Sequence, residues 1–365
     1  MFTALLVIGI LVFLIVVHEL GHFVAAKIFG LRVDEFGIGY PPRAFFIGKW
    51  GGTEYTLNWI PFGGFVRIFG DDVPKGLAIA DSHRFSNASK KVQAVVLIGG
   101  VTMNALAAWF LVTGALTLGV PRVVAPGEEV DARLIIADVI ARSPADGAGL
   151  RAGDTILALE SGGMRLDSDL TPGATAAFVQ TRGGKNITVF YARGEEVREA
   201  IVQPAHAVVS GESGRVAIGV ELALVTDKAI VLGAAVKEGA LRVAGMFKAV
   251  GQGLWSVISG VFRGEPAWRE LAGPIGIVGA VSEATEHGAG YVLLLAAFIS
   301  VNLAVVNLIP IPALDGGRLA ILAYEAARGR RVSHFAMSVL STLGVAIVAL
   351  LIITITYQDI VRLLA

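Results

Sequence analysis

Two histidines and a glutamate near the N-terminus have the residue types and the spacing of a metal centre. The chain reads His18-Glu19-Leu20-Gly21-His22. Helical residues four apart lie on one face, so both imidazoles can bind one zinc ion. Glu19 would lie beside the metal, where a carboxylate can take a proton from a water that the metal holds.

The apolar surroundings of this motif argue against a chance match on a soluble amphipathic helix. Residues 2–17 contain no charged side chain, and the chain after His22 returns to apolar residues. Ionisable groups inside an apolar span are costly and are functional by default. The motif therefore predicts a metal site within a membrane-spanning helix.

Asp315 is the candidate for the third zinc ligand. Two histidines leave room for one more protein ligand and for a water. Pro310 and Pro312 precede this aspartate and interrupt regular helix, so its side chain would be presented by unwound chain. The alternative is a helix N-cap or turn residue before Gly316-Gly317.

Three asparagines lie in apolar segments. Asn302 and Asn307 precede Asp315, and near a zinc site they could bind an extended substrate backbone or an oxyanion. The alternative for both is a hydrogen bond between helices, and this is the interpretation we favour for Asn104.

The composition indicates a membrane protein with some soluble mass. Of 365 residues, 55% are hydrophobic and 16% are charged, against roughly 25% charged in soluble domains. Lys+Arg and Asp+Glu balance at 30 each, and no basic cluster with interleaved aromatic residues occurs, so no nucleic-acid binding is predicted. The chain has no cysteine, which excludes disulfides and thiolate ligands.

Four segments have the length and hydropathy of membrane-spanning helices, each of which needs about 20 residues. The first has no basic residues before it and no small-residue cleavage site after it. We therefore expect it to remain as a span rather than to be removed as a signal peptide. The four segments are residues 2–29, 92–120, 291–310 and 338–357.

Basic residues in the connections predict the orientation of the spans. By the positive-inside rule, the first and third connections face the cytoplasm. The N-terminus and residues 121–290 would then lie outside, and the first and third spans would place His18, His22 and Asp315 at a comparable depth. The basic residues are Lys27, Arg32, Arg43, Lys49, Arg67, Lys75, Arg84, Lys90 and Lys91 in the first connection, and Arg318, Arg328, Arg330 and Arg331 in the third.

Three structured regions are expected outside the spans: one lies between the two spans of residues 1–120, and two lie between residue 120 and the last two spans, in residues 289–365. Residues 53–70 predict a short β-hairpin at or in the membrane, which offers an edge to an extended peptide or is merely an interfacial loop. Residues 121–206 predict a small α+β domain with a hairpin around Arg193-Gly194. Residues 207–288 predict a linker and an amphipathic helix at about 236–262, which suits the outer membrane surface or the soluble domain.

Several of these stretches together resemble the site-2 proteases. They are HELGH in the first span, GGFVRIFGD in the predicted hairpin, GPIGI at 273–277 and NLIPIPALDGG at 307–317, in one order over nearly the whole chain. The run SPADGAGLRAGDTIL at 143–157 resembles PDZ domains, whose groove binds peptides by strand addition. The chain looks most like the bacterial members, which cleave anti-sigma factors and remnant signal peptides.

The resemblance implies a polytopic α-helical protein of the bacterial inner membrane. It would have four transmembrane helices, a membrane-associated β-hairpin and one extracytoplasmic PDZ-like α+β domain. Its activity would be Zn2+-dependent hydrolysis of peptide bonds in the transmembrane segments of single-span substrates within the lipid bilayer. By resemblance, the zinc ligands are His18, His22 and Asp315, the catalytic base is Glu19, and the substrate-binding residues are Asn302, Asn307, Gly63, Gly64, Phe65, Val66 and Arg67.

Two departures from the family pattern and two other functions remain open. Some relatives carry two PDZ domains, whereas one is evident here. The family's second span often reads G-P-x-x-N, whereas Gly100-Val101-Thr102-Met103-Asn104 lacks the proline. A catalytically idle scaffold that recruits partners through its PDZ domain would tolerate changes in HELGH, and a zinc transporter would need polar residues along a path across the membrane.

Overall fold

The computed structural model describes residues 2–70, 83–124, 132–206, 216–264, 273–330 and 332–364. The chain forms two compact units, the first comprising Met1–Leu118 with Ile230–Ala365 and the second Gly119–Ala229. The helices are α1 (Phe2–Ile28), α2 (Lys90–Leu118), α3 (Pro144–Gly147), α4 (Pro172–Gln180), α5 (Leu232–Arg263), α6 (Pro274–Glu286), α7 (Ala289–Asn307), α8 (Asp315–Arg328) and α9 (His334–Leu364). The strands are β1 (Val33–Trp50), β2 (Thr53–Ile68), β3 (Arg122–Val123), β4 (Arg133–Val139), β5 (Thr155–Ser161), β6 (Met164–Leu166), β7 (Ile187–Arg193), β8 (Glu196–Val202), β9 (Ala205–His206), β10 (Val216–Ala217) and β11 (Val220–Thr226).

Helices α1, α2, α7 and α9 are long and apolar enough to cross a membrane, which confirms the prediction of four spans. Each coincides with a predicted segment, and α9 extends beyond its segment at both ends. Helices α2 and α7 bury much of their surface against other helices, whereas α9 buries very little. The apolar side chains of α9 therefore suit contact with lipid.

Helix α5 is the expected amphipathic helix, and it packs on a spanning helix. The Trp109 indole Nε1 in α2 donates a hydrogen bond to the Val236 carbonyl of α5 at 2.9 Å. Gly239 lies so close to α2 that an added Cβ would be 2.7 Å from Thr113 Oγ1. Neither expected location of this helix, the membrane surface or the soluble domain, included that contact.

Two α-helices of the first unit were not predicted from the sequence. Helix α6 begins at Pro274, within the stretch predicted as a linker, and α8 begins at Asp315, where the favoured prediction was unwound chain and a helix start was only the alternative. Both follow a proline-containing segment, and the proline signal for interrupted helix obscured the start of a new one.

The hairpin predicted around residues 53–70 is larger than expected, and its turn lies elsewhere. Residues 53–70 do not form the expected hairpin by themselves, because β2 is one long strand whose partner is the preceding β1. The turn between them is Gly51-Gly52, with φ values of 57° and 79°. Such left-handed conformations favour glycine, which explains why the chain reverses there.

Both strands bend, so that four short segments lie side by side. Residues 35–38 of β1 pair with residues 54–57 of β2 on one side and with residues 64–67 on the other. Residues 43–50 pair with 53–58. Among the described residues, 64–67 pairs with no further strand, so its outer backbone groups form an open edge.

Glu35 links the bent strands. Its carboxylate is buried and accepts hydrogen bonds from Thr56 Oγ1 at 2.8 Å and from Arg43 at 3.0 Å. Arg67 forms an ion pair with its other oxygen at 3.0 Å. A buried carboxylate needs such partners, and here they come from three segments of the sheet.

The second unit is a small α+β domain built around one sheet, whose strands differ in length. Its strands run in the order β3-β11-β4-β5-β7-β8, with β6 beside β5. The hairpin of β7 and β8 is the one expected around Arg193-Gly194. The unit continues past the expected boundary at 206, because β11 pairs with β4 and completes the sheet.

Asp359 in α9 binds the start of α6. Its side chain is only 4% exposed and accepts hydrogen bonds from the backbone N–H groups of Gly273, Ile275 and Gly276 at 2.9–3.1 Å. The first N–H groups of a helix have no intrahelical partner and carry partial positive charge. A carboxylate from a spanning helix therefore satisfies the N-terminus of α6.

Candidate active site

Three ligand atoms from distant parts of the chain meet at one point. His18 Nε2 lies 3.0 Å from Asp315 Oδ2, and His22 Nε2 lies 3.2 Å from the same oxygen. The two Nε2 atoms are 3.2 Å apart. Among the described residues, these three have the residue types and the close spacing of ligand atoms that a metal site requires.

This triangle fits a zinc ion. Ligands of a tetrahedral zinc at bond lengths of about 2.0–2.2 Å lie about 3.3 Å from one another, close to the observed separations. The nitrogen and oxygen donors are those that zinc prefers. His22 Nδ1 donates to the Val96 carbonyl at 2.8 Å, which leaves the Nε2 lone pair for a metal.

Glycines allow α1, which carries His18 and His22, and α2, which faces them, to approach closely. A Cβ added to Gly21 of α1 would lie 2.1 Å from the Gly99 carbonyl oxygen of α2. A Cβ added to Gly100 would lie 2.6 Å from both His18 Cε1 and His22 Nε2. Only glycine at these positions brings the backbone of α2 against the imidazoles.

The seven residues between α7 and α8 position Asp315. The chain folds so tightly onto α8 that a Cβ on Gly316 would lie 2.3 Å from the Leu308 carbonyl oxygen, and one on Gly317 would lie 2.1 Å from that of Ile311. Asp315 is the first residue of α8, the N-cap is Leu314, and no side chain caps this helix. The structure therefore does not support the alternative of an Asp315 N-cap.

Glu19 faces the same space and contacts the hairpin edge. A cavity of about 380 Å³ is lined by Glu19, the three ligand residues and Val66, among others. The Val66 backbone forms a hydrogen bond with the Glu19 carboxylate. A Cβ on Gly64 would lie 3.6 Å from Glu19 Cγ. The edge strand thus runs directly past the candidate base.

The two asparagines of α7 differ in position. Asn307 lines the cavity, and its Nδ2 lies 3.4 Å from His18 Nε2. Asn302 donates instead to the Phe298 carbonyl of its own helix at 2.8 Å and does not line the cavity. Because residues five apart do not share a helix face, the structure brings only Asn307 to the centre.

The five predicted clamp residues also divide. Gly63 and Gly64 are buried, and Val66 lines the cavity. Phe65 packs beside Gly37 of β1, and Arg67 points to Glu35. Their shared feature is therefore the strand edge, and the Phe65 and Arg67 side chains stabilise the sheet that presents it.

Tyr40 lines the cavity and was not identified from the sequence. Burial, and then the charge of nearby Glu19, raise the pKa of the Tyr40 phenol above its ordinary value of 10. The hydroxyl therefore keeps its proton at neutral pH and remains a hydrogen-bond donor. A tyrosine next to two prolines in a loop-like stretch carried no sequence signal for this position.

Known proteins are similar in sequence to this chain over nearly its whole length. The sequence profile described as peptidase family M50 matches residues 6–351. A protein of Clostridium perfringens named as a putative zinc metalloprotease is 31% identical over 350 residues, which are 95% of each chain. The zinc metalloprotease RasP of Geobacillus kaustophilus is 28% identical over an alignment that covers 98% of this chain and 96% of RasP.

Proposed function

Since the chain belongs to peptidase family M50, the site-2 protease family, and is a zinc metalloprotease of the membrane, we propose that it hydrolyses peptide bonds inside the membrane-spanning segments of other proteins. The observation that carries this proposal is the convergence of His18, His22 and Asp315 beside Glu19 and an open strand edge. A site of this kind, set in helices of spanning length, suits a substrate that is itself in the membrane.

In the proposed mechanism, His18, His22 and Asp315 would hold zinc, which when bound would polarise the scissile carbonyl and lower the pKa of water toward neutrality. Glu19 takes the proton from the attacking water and passes it to the leaving amine. Asn307, which lines the cavity, donates a hydrogen bond to the oxygen on which negative charge develops.

The open edge of β2 would hold the substrate in extended form. A helical substrate hides its carbonyl groups in its own hydrogen bonds, so it must unwind before water can attack. Residues 64–67 offer backbone groups that no further described strand pairs, next to Glu19, and pairing with a substrate there would replace the helical hydrogen bonds. Gly64 suits this role because it adds no side chain between the edge and the cavity.

The orientation and the substrate class belong to the same proposal. The distribution of Lys and Arg supports a cytoplasmic location for the first and third connections. The second unit, Gly119–Ala229, would then be the extracytoplasmic PDZ-like domain. Single-span proteins such as anti-sigma factors or remnant signal peptides are the proposed substrates, in line with the resemblance.

Replacement of Glu19 by glutamine tests the mechanism. The purified protein in lipid vesicles is given a single-span reporter peptide, and zinc content and cleavage are measured together. We expect Glu19→Gln to keep zinc and to lose cleavage by about 100-fold or more, because general base catalysis contributes about 10²–10⁴-fold. Cleavage by Glu19→Gln at the wild-type rate would remove the base assignment.

Glu54→Gln is the matched control, since this hairpin glutamate is only partly buried and does not line the cavity. It should retain both zinc and cleavage. If neither wild type nor Glu54→Gln cleaves the reporter although both carry zinc, the idle scaffold becomes the better interpretation.

A further inference from the structure

Asn104 is buried beside the metal centre, and half of its side-chain amide has no partner. The residue has 0% exposure, and its Nδ2 lies 3.3 Å from His18 Nδ1. Its Oδ1 is buried and accepts no hydrogen bond from the residues that the structure describes. An orphan acceptor in such a place costs about 1–3 kcal/mol, so its position calls for an explanation.

The proton of the His18 ring provides one. A neutral imidazole carries its proton on only one nitrogen, and a metal at Nε2 requires that proton to be on Nδ1. His18 Nδ1 is then a donor, and it cannot also accept a hydrogen bond from Asn104 Nδ2. A half-turn of the amide exchanges its oxygen and nitrogen and brings Oδ1 to the ring N–H, while Nδ2 takes the position that has no partner among the described residues. This orientation removes the conflict between two donors at His18 Nδ1.

The contact between helices does not depend on this side chain. The Asn104 backbone carbonyl already accepts a hydrogen bond from Ser300 Oγ of α7 at 2.8 Å. The side-chain amide instead points across to α1. The interpretation of Asn104 as a helix–helix contact thus applies to its backbone and leaves its amide unexplained.

We propose that Asn104 is a positioning residue, whose Oδ1 accepts the His18 Nδ1–H and thereby fixes the tautomer and ring orientation in which Nε2 binds zinc. This proposal rests on the assignment of His18 as a zinc ligand. Val96 does the same for His22 through its backbone carbonyl, at 2.8 Å. Helix α2 therefore supports both imidazoles, one through a carbonyl and one through an amide side chain.

The test measures zinc affinity by chelator competition with the full chain in detergent, without any substrate. Asn104→Leu has similar size but no acceptor, and we expect its zinc Kd to rise about 10–100-fold. Asn104→Asp keeps an acceptor for the ring N–H, and its Kd should stay within a few-fold of wild type. A purely structural amide predicts the reverse order, because a buried carboxylate is costlier than a buried leucine.

Ser300→Ala is the matched control, because it removes the hydrogen bond between α2 and α7 at the same residue without touching His18. Its Kd should be unchanged. The absorption of the Co2+-loaded proteins gives a second readout: the d–d bands should shift in Asn104→Leu and remain at the wild-type energy in Ser300→Ala.

Two results would overturn the proposal: equal loss of affinity in Asn104→Leu and Ser300→Ala, or a wild-type Kd and spectrum for Asn104→Leu. His18→Ala separates this failure from a failure of the ligand assignment. If His18→Ala retains zinc, the ligand assignment itself is wrong, and if it loses zinc, only the role of Asn104 is affected.

Discussion

Asp315 and Asp359 are two carboxylates in the unit of the spanning helices. Asp315 is the first residue of α8, and Asp359, which belongs to α9, lies beside the first turn of α6. Both oxygens of Asp359 accept hydrogen bonds, three in all, from backbone N–H groups of the α6 N-terminus. Asp315 Oδ2 instead faces the Nε2 atoms of His18 and His22 at 3.0 and 3.2 Å. Backbone N–H groups satisfy both oxygens of Asp359, whereas Asp315 faces two nitrogen atoms that, like its own oxygen, can each donate a lone pair to a metal.

This difference distinguishes a structural carboxylate, Asp359, from the proposed metal ligand, Asp315. Burial of a charged oxygen is tolerated when donors surround it. Asp359 has such donors, so its site is complete as folded. When neither Nε2 atom carries a proton, Asp315 Oδ2 and the two Nε2 lone pairs repel one another unless a cation lies between them. The surroundings of an aspartate side chain in this unit therefore decide whether it stabilises a helix or is placed to bind a metal.

Replacement of Asp315 by alanine should have the largest effect. Zinc would lose one of three protein ligands, so we expect Asp315→Ala to lose both zinc content and cleavage. Metal analysis of the purified protein measures the first, and the reporter peptide measures the second. Asp359→Ala is the matched control and should retain stoichiometric zinc; zinc content undiminished in Asp315→Ala would exclude it as a ligand.

Gly100→Ala should break the centre without removing a ligand. The new Cβ would lie 2.6 Å from both His18 Cε1 and His22 Nε2, so the rings must move. A displacement of about 1 Å can cost about 100-fold in rate, and we expect a loss of that order together with weaker zinc binding. Gly114→Ala on the same helix meets only Leu293 Cδ1 at 3.4 Å and should behave as wild type; equal activity of the two variants would contradict the proposed geometry.

Asp359→Ala should affect stability and leave the metal in place. It strands three N–H groups at the start of α6, and each buried unsatisfied group costs about 1–3 kcal/mol. We expect a lower midpoint of thermal unfolding, followed by tryptophan fluorescence, with zinc content unchanged. Asp359→Asn keeps one acceptor oxygen, so its midpoint of thermal unfolding should lie between those of the wild type and Asp359→Ala. Zinc loss in Asp359→Ala would mean that the two carboxylates are coupled.

Glu54 extends the comparison to a partly buried carboxylate outside the cavity, and its replacement should have the smallest effect. Hydrogen bonds from Arg43 and Lys49 hold the pKa of Glu54 below its ordinary value of 4.5. A lowered pKa in the folded state contributes stability that is present above the unfolded pKa and is lost as the pH falls through the folded one. We therefore expect a small loss of hydrogen-exchange protection in β1 and β2 below about pH 4.5, and no such loss in Glu54→Gln.

Hairpin β1–β2 illustrates where prediction from sequence was incomplete. The apolar, glycine-rich stretch at 53–70 indicated β structure near the membrane, and that part of the chain is a strand. Its partner, β1, was missed, because residues 33–50 mix apolar, charged and proline residues without alternation. The open edge at 64–67 depends on which segment pairs with which, and a single sequence does not contain that information.

The sequence by itself determined the four helices of spanning length, and it predicted the metal-binding residue types and a comparable depth for them. These follow from local properties: hydropathy over about 20 residues, the four-residue spacing of His18 and His22, and the basic connections. Only the tertiary structure decided that Asp315 lies 3.0 Å from His18, that Asn307 rather than Asn302 reaches the cavity, and that Asn104 faces a ligand ring. The reason is that a contact between residues hundreds of positions apart depends on how helices cross, here on the close approach that Gly21 and Gly100 permit, and no local pattern records it.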